Sequence, residues 1–374
     1  MQVDSIFLRY FRNYDEAETE FAPGINVITG ENAQGKTNLL EAVYMLSCGR
    51  SFRTRFDREL IGFGRDYAQL DAVVHCAGRE QRMKVSLARG AKKRITLNGV
   101  SKSPVELVEG LRTVLFCPED LNLIREGAAA RRRLMDMAIS QMRPGYIRLL
   151  RDFNRLYENK SRILRDYRDN PSMLDTLDEF SDGICRVSAA IIRYRGSFTR
   201  RLSLSAAQIH REFSGAGEEL SIDYRTAGTV EDPEAGEAEI YDWLLEHQKN
   251  LAAAELASGQ CLCGVHKDDL EIGINGVPAR SFASQGQART AALSIKLAER
   301  EIYMTDTGEH PVLLLDDVLS ELDARRREYV LNRIGGGQTL ITCCEDERIA
   351  EKTGGRVIVI DRGRIHRQSG VSRL

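Results

Sequence analysis

One run of eight residues constrains this chain more than any other: Gly30-Glu31-Asn32-Ala33-Gln34-Gly35-Lys36-Thr37. It follows Gly24 to Ile28, which reads as a short strand, and precedes residues 39 to 46, where apolar side chains recur at helical spacing. A glycine-rich turn between strand and helix lets backbone N–H groups point inward at the positive end of the helix, where an anion is stabilised. The pattern G-x-x-x-x-G-K-[ST] adds two side chains with defined work. Lys36 reaches the β- and γ-phosphates of a nucleotide, and the Thr37 hydroxyl holds Mg²⁺. The chain is therefore expected to fold around a strand, loop and helix that bind a nucleoside triphosphate through Gly30, Glu31, Asn32, Ala33, Gln34, Gly35, Lys36, Thr37 and Asn38.

A second element completes that chemistry. Val312-Leu313-Leu314-Leu315 is a short apolar run of the buried-strand type, and it ends in two carboxylates, Asp316 and Asp317. Beside a phosphate loop, Asp316 is expected to approach Mg²⁺ and Asp317 to orient or deprotonate the attacking water. A core strand ending at a solvated acidic pair is the plainer alternative; the loop upstream favours the catalytic reading.

Composition narrows the setting. Of 374 residues, 42% are hydrophobic and 29% charged, the balance of an ordinary globular protein, and the net charge of −2 carries no global sign of a nucleic-acid partner. No apolar run approaches the length of a membrane span, and the N-terminus MQVDSIFLRYFRNY carries charges where a signal peptide needs an apolar core. A cytoplasmic location is expected. The eight cysteines include no C-x-x-C pair. Cys261 and Cys263, with His266, could join Cys343 and Cys344 around a metal, but reduced, mostly buried thiols are the preferred reading.

Along the chain, strand signals cover 5–8, 24–28, 69–74, 83–87 and 94–97, with Asn98-Gly99 as a turn. From about Glu126 the pattern becomes helical, with breaks at Pro144, Asn170-Pro171 and the Gly215 to Gly236 region. Strand signals return at 270–274, 312–315, 340–342 and 357–360, with a helix over 287–303. The expected organisation is one α/β head, residues 1–125 and 263–374, split by an all-helical arm over 126–262.

Two further motifs specify the class. Ser284-Gln285-Gly286-Gln287, at the start of the 287–303 helix, resembles the ABC-ATPase signature L-S-G-G-Q, with Gln285 in place of the first glycine; a plain helix N-cap at Ser284 explains it equally well in isolation. Ser320-Glu321-Leu322-Asp323 resembles the D-loop of the same superfamily. Phosphate loop, signature, acidic strand and D-loop follow one another in the superfamily's order. The resemblance implies a P-loop NTPase head of the ABC type, similar to SMC heads, that binds ATP. It also implies that Ser284, Gln285, Gly286 and Gln287 cap the nucleotide of a second copy, so that ATP holds two chains together, and that Ser320 and Asp323 are D-loop residues. Two departures matter: Asp317 stands where most ABC proteins have glutamate, and Ile341-Thr342-Cys343-Cys344 lacks the switch histidine. A slow ATPase follows. For the Q-loop glutamine, Gln69 is the one candidate.

The separation of Lys36 and Ser284, 248 positions, exceeds that of transporter ATPases and falls short of SMC proteins. No heptad run of three or more repeats occupies it. Several segments resemble the RecF family: Phe11-Arg12-Asn13-Tyr14, Gly49-Arg50-Ser51-Phe52-Arg53, the stretch GAAARRRLMD from Gly127 to Asp136, His266-Lys267-Asp268-Asp269-Leu270, and paired aspartates before S-E-L-D. The second arginine-rich stretch lacks the family's proline, and Val265 stands where the family has another. The resemblance implies that Arg12 and Asn13 approach the nucleotide. It further implies ATP-dependent binding to gapped or junction DNA in recombinational repair and replication restart, help to RecO and RecR in loading RecA, and a part in the SOS response. Other SMC-like or OLD-type ATPases, an ABC transporter subunit and a binding module without turnover are the alternatives; no long coiled coil or added nuclease domain is visible for the first.

Local charge agrees with a DNA partner. Between Arg125 and Arg168 there are 12 Lys or Arg against 5 Asp or Glu, and Arg186 to Arg211 contains six arginines and no carboxylate. Arg131, Arg132, Arg133, Arg148, Arg151 and Arg155 are the expected phosphate contacts, with Tyr146, Tyr157, Tyr167 and Tyr194 interspersed. A solvated basic face is the plainer explanation of the same run.

Overall fold

A computed structural model describes residues 1–215, 217–226, 230–343 and 354–367. The chain divides into two compact units, Met1–Asp120 with Lys296–Leu374, and Leu121–Ile295. Residues 263–295, placed with the head on sequence grounds, cluster with the helical unit.

The first unit holds two six-stranded sheets. One is antiparallel, in the order β2-β1-β4-β5-β6-β7. Its strands are β1 (Gln2–Phe11), β2 (Tyr14–Glu20), β4 (Tyr67–Cys76), β5 (Arg79–Ala88), β6 (Arg94–Leu97) and β7 (Val100–Ser101). β4 reads Tyr-Ala-Gln-Leu-Asp-Ala-Val-Val-His-Cys, and its buried residues alternate with half-exposed ones, as a sheet packed on one face requires. Asn98-Gly99 closes the β6–β7 hairpin with both residues at positive φ, 51° and 80°, the geometry that selects Asn-Gly.

The second sheet has the order β15-β14-β3-β13-β12-β8. β3 (Ile25–Thr29), β8 (Thr113–Phe116), β12 (Val312–Leu315), β13 (Thr339–Thr342) and β14 (Arg356–Asp361) run parallel, and β15 (Arg364–Arg367) closes the edge antiparallel to β14. β8, β12 and β13 are buried at every position, which is why they are nearly continuous in apolar and threonine residues. α1 (Lys36–Cys48) follows β3 directly, and α9 (Ala324–Arg333) follows β12.

The second unit is mainly helical. α2 (Asn122–Arg125) and α3 (Ala128–Met142) lead into α4 (Pro144–Asp166), with Pro144 at its first turn, where no N–H is needed. α5 (Leu177–Ser214) is the longest helix, and α6 (Glu237–Ser258) packs on it. Gly196 lies mid-helix in α5 because a Cβ there would meet the Pro233 carbonyl oxygen at 2.8 Å. The arm segment is not wholly helical. β9 (Leu220–Arg225), in the region read as a break, pairs with β10 (Asp269–Ile274), which pairs with β11 (Val277–Pro278). The alternation Leu220, Ile222, Tyr224 buries one face of β9 against α5, a period-2 signal only six residues long. α7 (Ala279–Phe282) and the start of α8 (Gln285–Thr307) complete the unit.

Candidate functional site

The phosphate loop is shaped by close packing. Gly30 has φ 147°, and a Cβ there would lie 2.2 Å from the Ile360 carbonyl oxygen; Gly35, at φ 123°, has Asn13 and Tyr14 within about 3 Å of the same point. No other residue fits either place. Tyr14 OH donates to Gly35 O at 2.8 Å, and Asn13 Nδ2 donates to Gln34 O at 2.7 Å while its Oδ1 accepts from Asn38 Nδ2. On the far side, the β14–β15 turn grips Gln34, through Arg362 N to Oε1 and Gly363 N to the carbonyl. Ala33 takes the left-handed conformation, φ 64°. Lys36 Nζ donates to Gly30 O at 2.6 Å and Glu31 O at 2.8 Å, so the loop closes on its own ammonium group.

Arg12 and Glu41 support the loop. Glu41 is fully buried on α1 and takes a bidentate pair from Arg12 at 2.8 and 2.7 Å, together with the Ser51 hydroxyl. Arg12 also donates to Glu59 O at 2.9 Å. Arg12, expected at the nucleotide, is therefore anchored through three of its nitrogens to the protein itself. Arg53 donates to Asn38 Oδ1 at 2.8 Å, which explains why Gly49 to Arg53 follows the loop helix so closely.

The acidic strand end meets the loop. Thr37 Oγ1 donates to Asp316 Oδ1 at 2.9 Å, and Thr342 Oγ1 donates to the same oxygen at 2.8 Å. Thr342 also accepts from Asp317 N at 2.8 Å. Asp317 has φ 51°, a strained conformation for a non-glycine residue, pinned by Thr342 and by Ser320 Oγ, which donates to Asp317 Oδ1 at 2.8 Å. Burial raises the Asp316 carboxyl above its ordinary range, with Thr342 and Thr37 pulling it back down, and Asp317 and Glu119 pushing it further up. A cation beside Asp316 would reverse that penalty, so the donor set of Thr37 and Asp316 fits Mg²⁺.

Sequence reasoning missed two residues. Thr342 reads as an ordinary β-branched strand residue in Thr-Leu-Ile-Thr, although it lies in the region searched for a switch histidine. Glu119 lies just beyond β8, whose partner in the sheet is β12, and after Asp317 it is the second carboxylate felt by Asp316. Gln69 lies within β4 and bonds to Asp71 in the antiparallel sheet. Cys344 lies outside the described residues.

Ser284 and Gln287 form a reciprocal cap on α8: Gln287 N donates to Ser284 Oγ at 3.2 Å, and Ser284 N donates to Gln287 Oε1 at 2.9 Å. Gln285 and Ser284 are exposed and Gly286 is half-buried, so this helix start is both a cap and an accessible positive end. Asp323 caps α9 by accepting from Arg326 N at 2.9 Å.

The expected DNA contacts separate into two groups. Arg133, Arg148, Arg151 and Arg155 are exposed, the last three at helical spacing on α4. Arg131 requires correction: it is 5% exposed, pairs with Asp269 at 2.7 and 2.8 Å, and donates to Leu123 O and Glu126 O. Arg132 donates to Asp268 O. Tyr146 is also corrected, being fully buried with its hydroxyl on Asp136. Helix periodicity turns Arg131 inward and Arg133 outward from one arginine run.

The RecF/RecN/SMC N terminal domain model matches residues 2–361. The DNA replication and repair protein RecF of Acetivibrio thermocellus is 36% identical over 95% of this chain and 96% of its own length. That of Listeria innocua is 38% identical over 94% and 95%. The chain belongs to the RecF family. Among solved structures, the recombination mediator protein RecF of the RecFOR pathway, as RecF-ATP, superposes with a TM-score of 0.91 at 34% identity, covering 98% of this chain and 97% of that one. The Smc head domain of Pyrococcus furiosus, at 16% identity and a TM-score of 0.58, shares the fold. Among the described residues no helix is long and apolar enough to cross a membrane.

Proposed function

We propose that the protein is a slow, DNA-stimulated ATPase that binds gapped or junction DNA and dimerises on ATP. The observation that carries the reading is the hydrogen-bonded chain Thr37–Asp316–Thr342–Asp317–Ser320, which joins a phosphate loop to an acidic strand end. Lys36 would exchange two neutral loop carbonyls for anionic β- and γ-phosphate oxygens, a gain because the acceptor then carries charge as well as the donor. Mg²⁺, held by Thr37 and Asp316, would supply charge neutralisation on the phosphates. Asp317, fixed by Thr342 and Ser320, would orient water, with its shorter side chain keeping turnover slow. Asn13 and Asn38 brace the loop, and Arg12 acts from its anchorage on Glu41.

The exposed start of α8 supports capping of a partner's nucleotide by Ser284, Gln285, Gly286 and Gln287, and Ser320 and Asp323 would serve as the D-loop. Arg133, Arg148, Arg151 and Arg155 would track DNA phosphates without reading sequence. Kinship with RecF proteins, one solved as a mediator in the RecFOR pathway, supports work with RecR and RecO in delivering RecA to bacterial cytoplasmic DNA during repair and the SOS response. Binding of a fluorescent ATP analogue, with and without Mg²⁺, tests the site: Lys36→Met should weaken it about 100-fold and Asp316→Asn should remove its Mg²⁺ dependence. Undiminished binding by Lys36→Met would reject the site.

A further inference from the structure

The Gly49 to Arg53 motif leads into a surface of the first unit that the proposed ATP chemistry does not use. Phe63 is fully exposed, Phe56 is 55% exposed and Tyr67 is 42% exposed. Large aromatic rings in water are costly unless something covers them. Phe56 and Tyr67 have basic company. The Arg58 guanidinium lies 5.1 Å from the Phe56 ring centroid, and Arg65 lies 4.3 Å over Tyr10, whose ring meets Tyr67 edge-on at 5.1 Å.

The β5–β6 hairpin brings further charge to the same place. Residues 79 to 94 contain seven Lys or Arg and one carboxylate. Arg89, Lys92 and Arg94 are exposed at the hairpin tip. The tip is fastened to the aromatic loops: Arg89 N donates to Asp66 O at 3.0 Å, Arg89 Nε donates to Arg65 O at 2.9 Å, and Lys93 pairs with Asp57 at 3.0 Å. Rings and cations are thus held on one scaffold, whose loop 62–67 is itself bound back through Gly62 N to Tyr10 O.

We infer that this surface is a stacking platform for single-stranded DNA. The inference rests on the DNA-binding reading above and adds a strand type and a place. Exposed rings offer π-faces to bases, and the arginines beside them contact the backbone. A duplex hides its base faces, so stacking on Phe56 and Phe63 selects an unpaired strand. An apolar protein partner fits less well, because guanidinium and ammonium groups interrupt the rings instead of forming a polar rim around them.

The test uses the full chain, with and without ATP, and measures binding of a labelled oligothymidine and of a blunt duplex. Phe56→Ala with Phe63→Ala should weaken oligothymidine binding about tenfold or more and leave duplex binding unchanged. Neither side chain is buried, so folding should be unaffected, which thermal denaturation checks. Arg89→Ala with Lys92→Ala should weaken both DNAs and flatten the salt dependence. As a second readout, Phe63→Trp adds an indole to a chain whose sole tryptophan is Trp243, and oligothymidine should quench the added fluorescence. A ring variant that binds oligothymidine like the parent, with no quenching, would overturn the platform while duplex binding kept the DNA reading alive, and would leave the rings to a protein partner. Failure of the parent to bind either DNA would overturn both.

Discussion

The phosphate site of the first unit and the ionic core of the second use the same residue types in opposite ways. In the phosphate site, Lys36 donates to two neutral carbonyls and Asp316 accepts from two neutral hydroxyls. In the second unit the buried cations Arg195, Lys160 and Arg131 each meet an opposite charge. Arg195, 2% exposed, contacts Asp136 and Asp268; Lys160, fully buried, pairs with Glu255 at 2.7 Å and with Gln248. Arg131 closes on Asp269. A charge held by neutral groups can exchange them for a ligand; a charge held by its counter-ion in a dry interior cannot without large cost. The first arrangement reads as a site and the second as a fastening of α3, α4, α5, α6 and β10.

The largest expected effect lies in the fastening. Lys160→Met should cost about 3–5 kcal/mol in urea unfolding, because it strands the buried Glu255 carboxylate. Lys160→Met with Glu255→Leu should recover much of the loss; an unaffected single variant would break the comparison. Lys36→Met should cost nucleotide affinity about 100-fold, or about 2.7 kcal/mol, while leaving stability within about 1 kcal/mol of the parent. A large loss of stability there would make Lys36 a structural residue instead.

The arginines of the arm sharpen the contrast. Arg131→Ala should destabilise by about 2–3 kcal/mol and leave the salt dependence of DNA binding intact. Combined Arg148→Ala, Arg151→Ala and Arg155→Ala should do the reverse, lowering the salt slope by up to about 3 with stability within about 0.5 kcal/mol.

The smallest effect is set by pH. Burial lowers His266 from 6.5 to about 4. Its contribution is therefore complete above 6.5 and lost as pH falls toward 4, where the folded chain must take up the proton. Burial raises Asp268 from 3.8 to about 6, despite Arg195 and Tyr224, and this acts with the opposite sign over much of the same range. Thermal denaturation of the parent and of His266→Gln between pH 7 and about 4.5 separates the two: only the parent should carry the histidine's loss.

Much of this was legible because it rests on short-range rules. Strand, glycine loop and helix announce the phosphate site, and the apolar run before Asp316 announces its partner strand. Asn98-Gly99 takes the positive φ that its dipeptide suggests. What was not legible depends on neighbours distant in sequence. Thr342 matters only because β13 lies between β3 and β12, bringing its hydroxyl to Asp316 and Asp317. Glu119 matters because β8 pairs with β12. β2 was missed because Tyr14–Glu20 is largely acidic, and only Tyr14, Ala17 and Thr19 turn inward. The arginine run at 131–133 could not declare which member faces Asp269 until α3 and β10 were seen together.

The central claim is that ATP at the phosphate site joins two copies through the exposed start of α8. Light scattering of the chain with MgATP, with and without gapped duplex DNA, tests it most directly. The account predicts a dimer with MgATP, strengthened by the DNA and absent in Lys36→Met and in Ser284→Arg, the latter still binding ATP. A monomer under all conditions, with nucleotide binding demonstrated in the same samples, would contradict it.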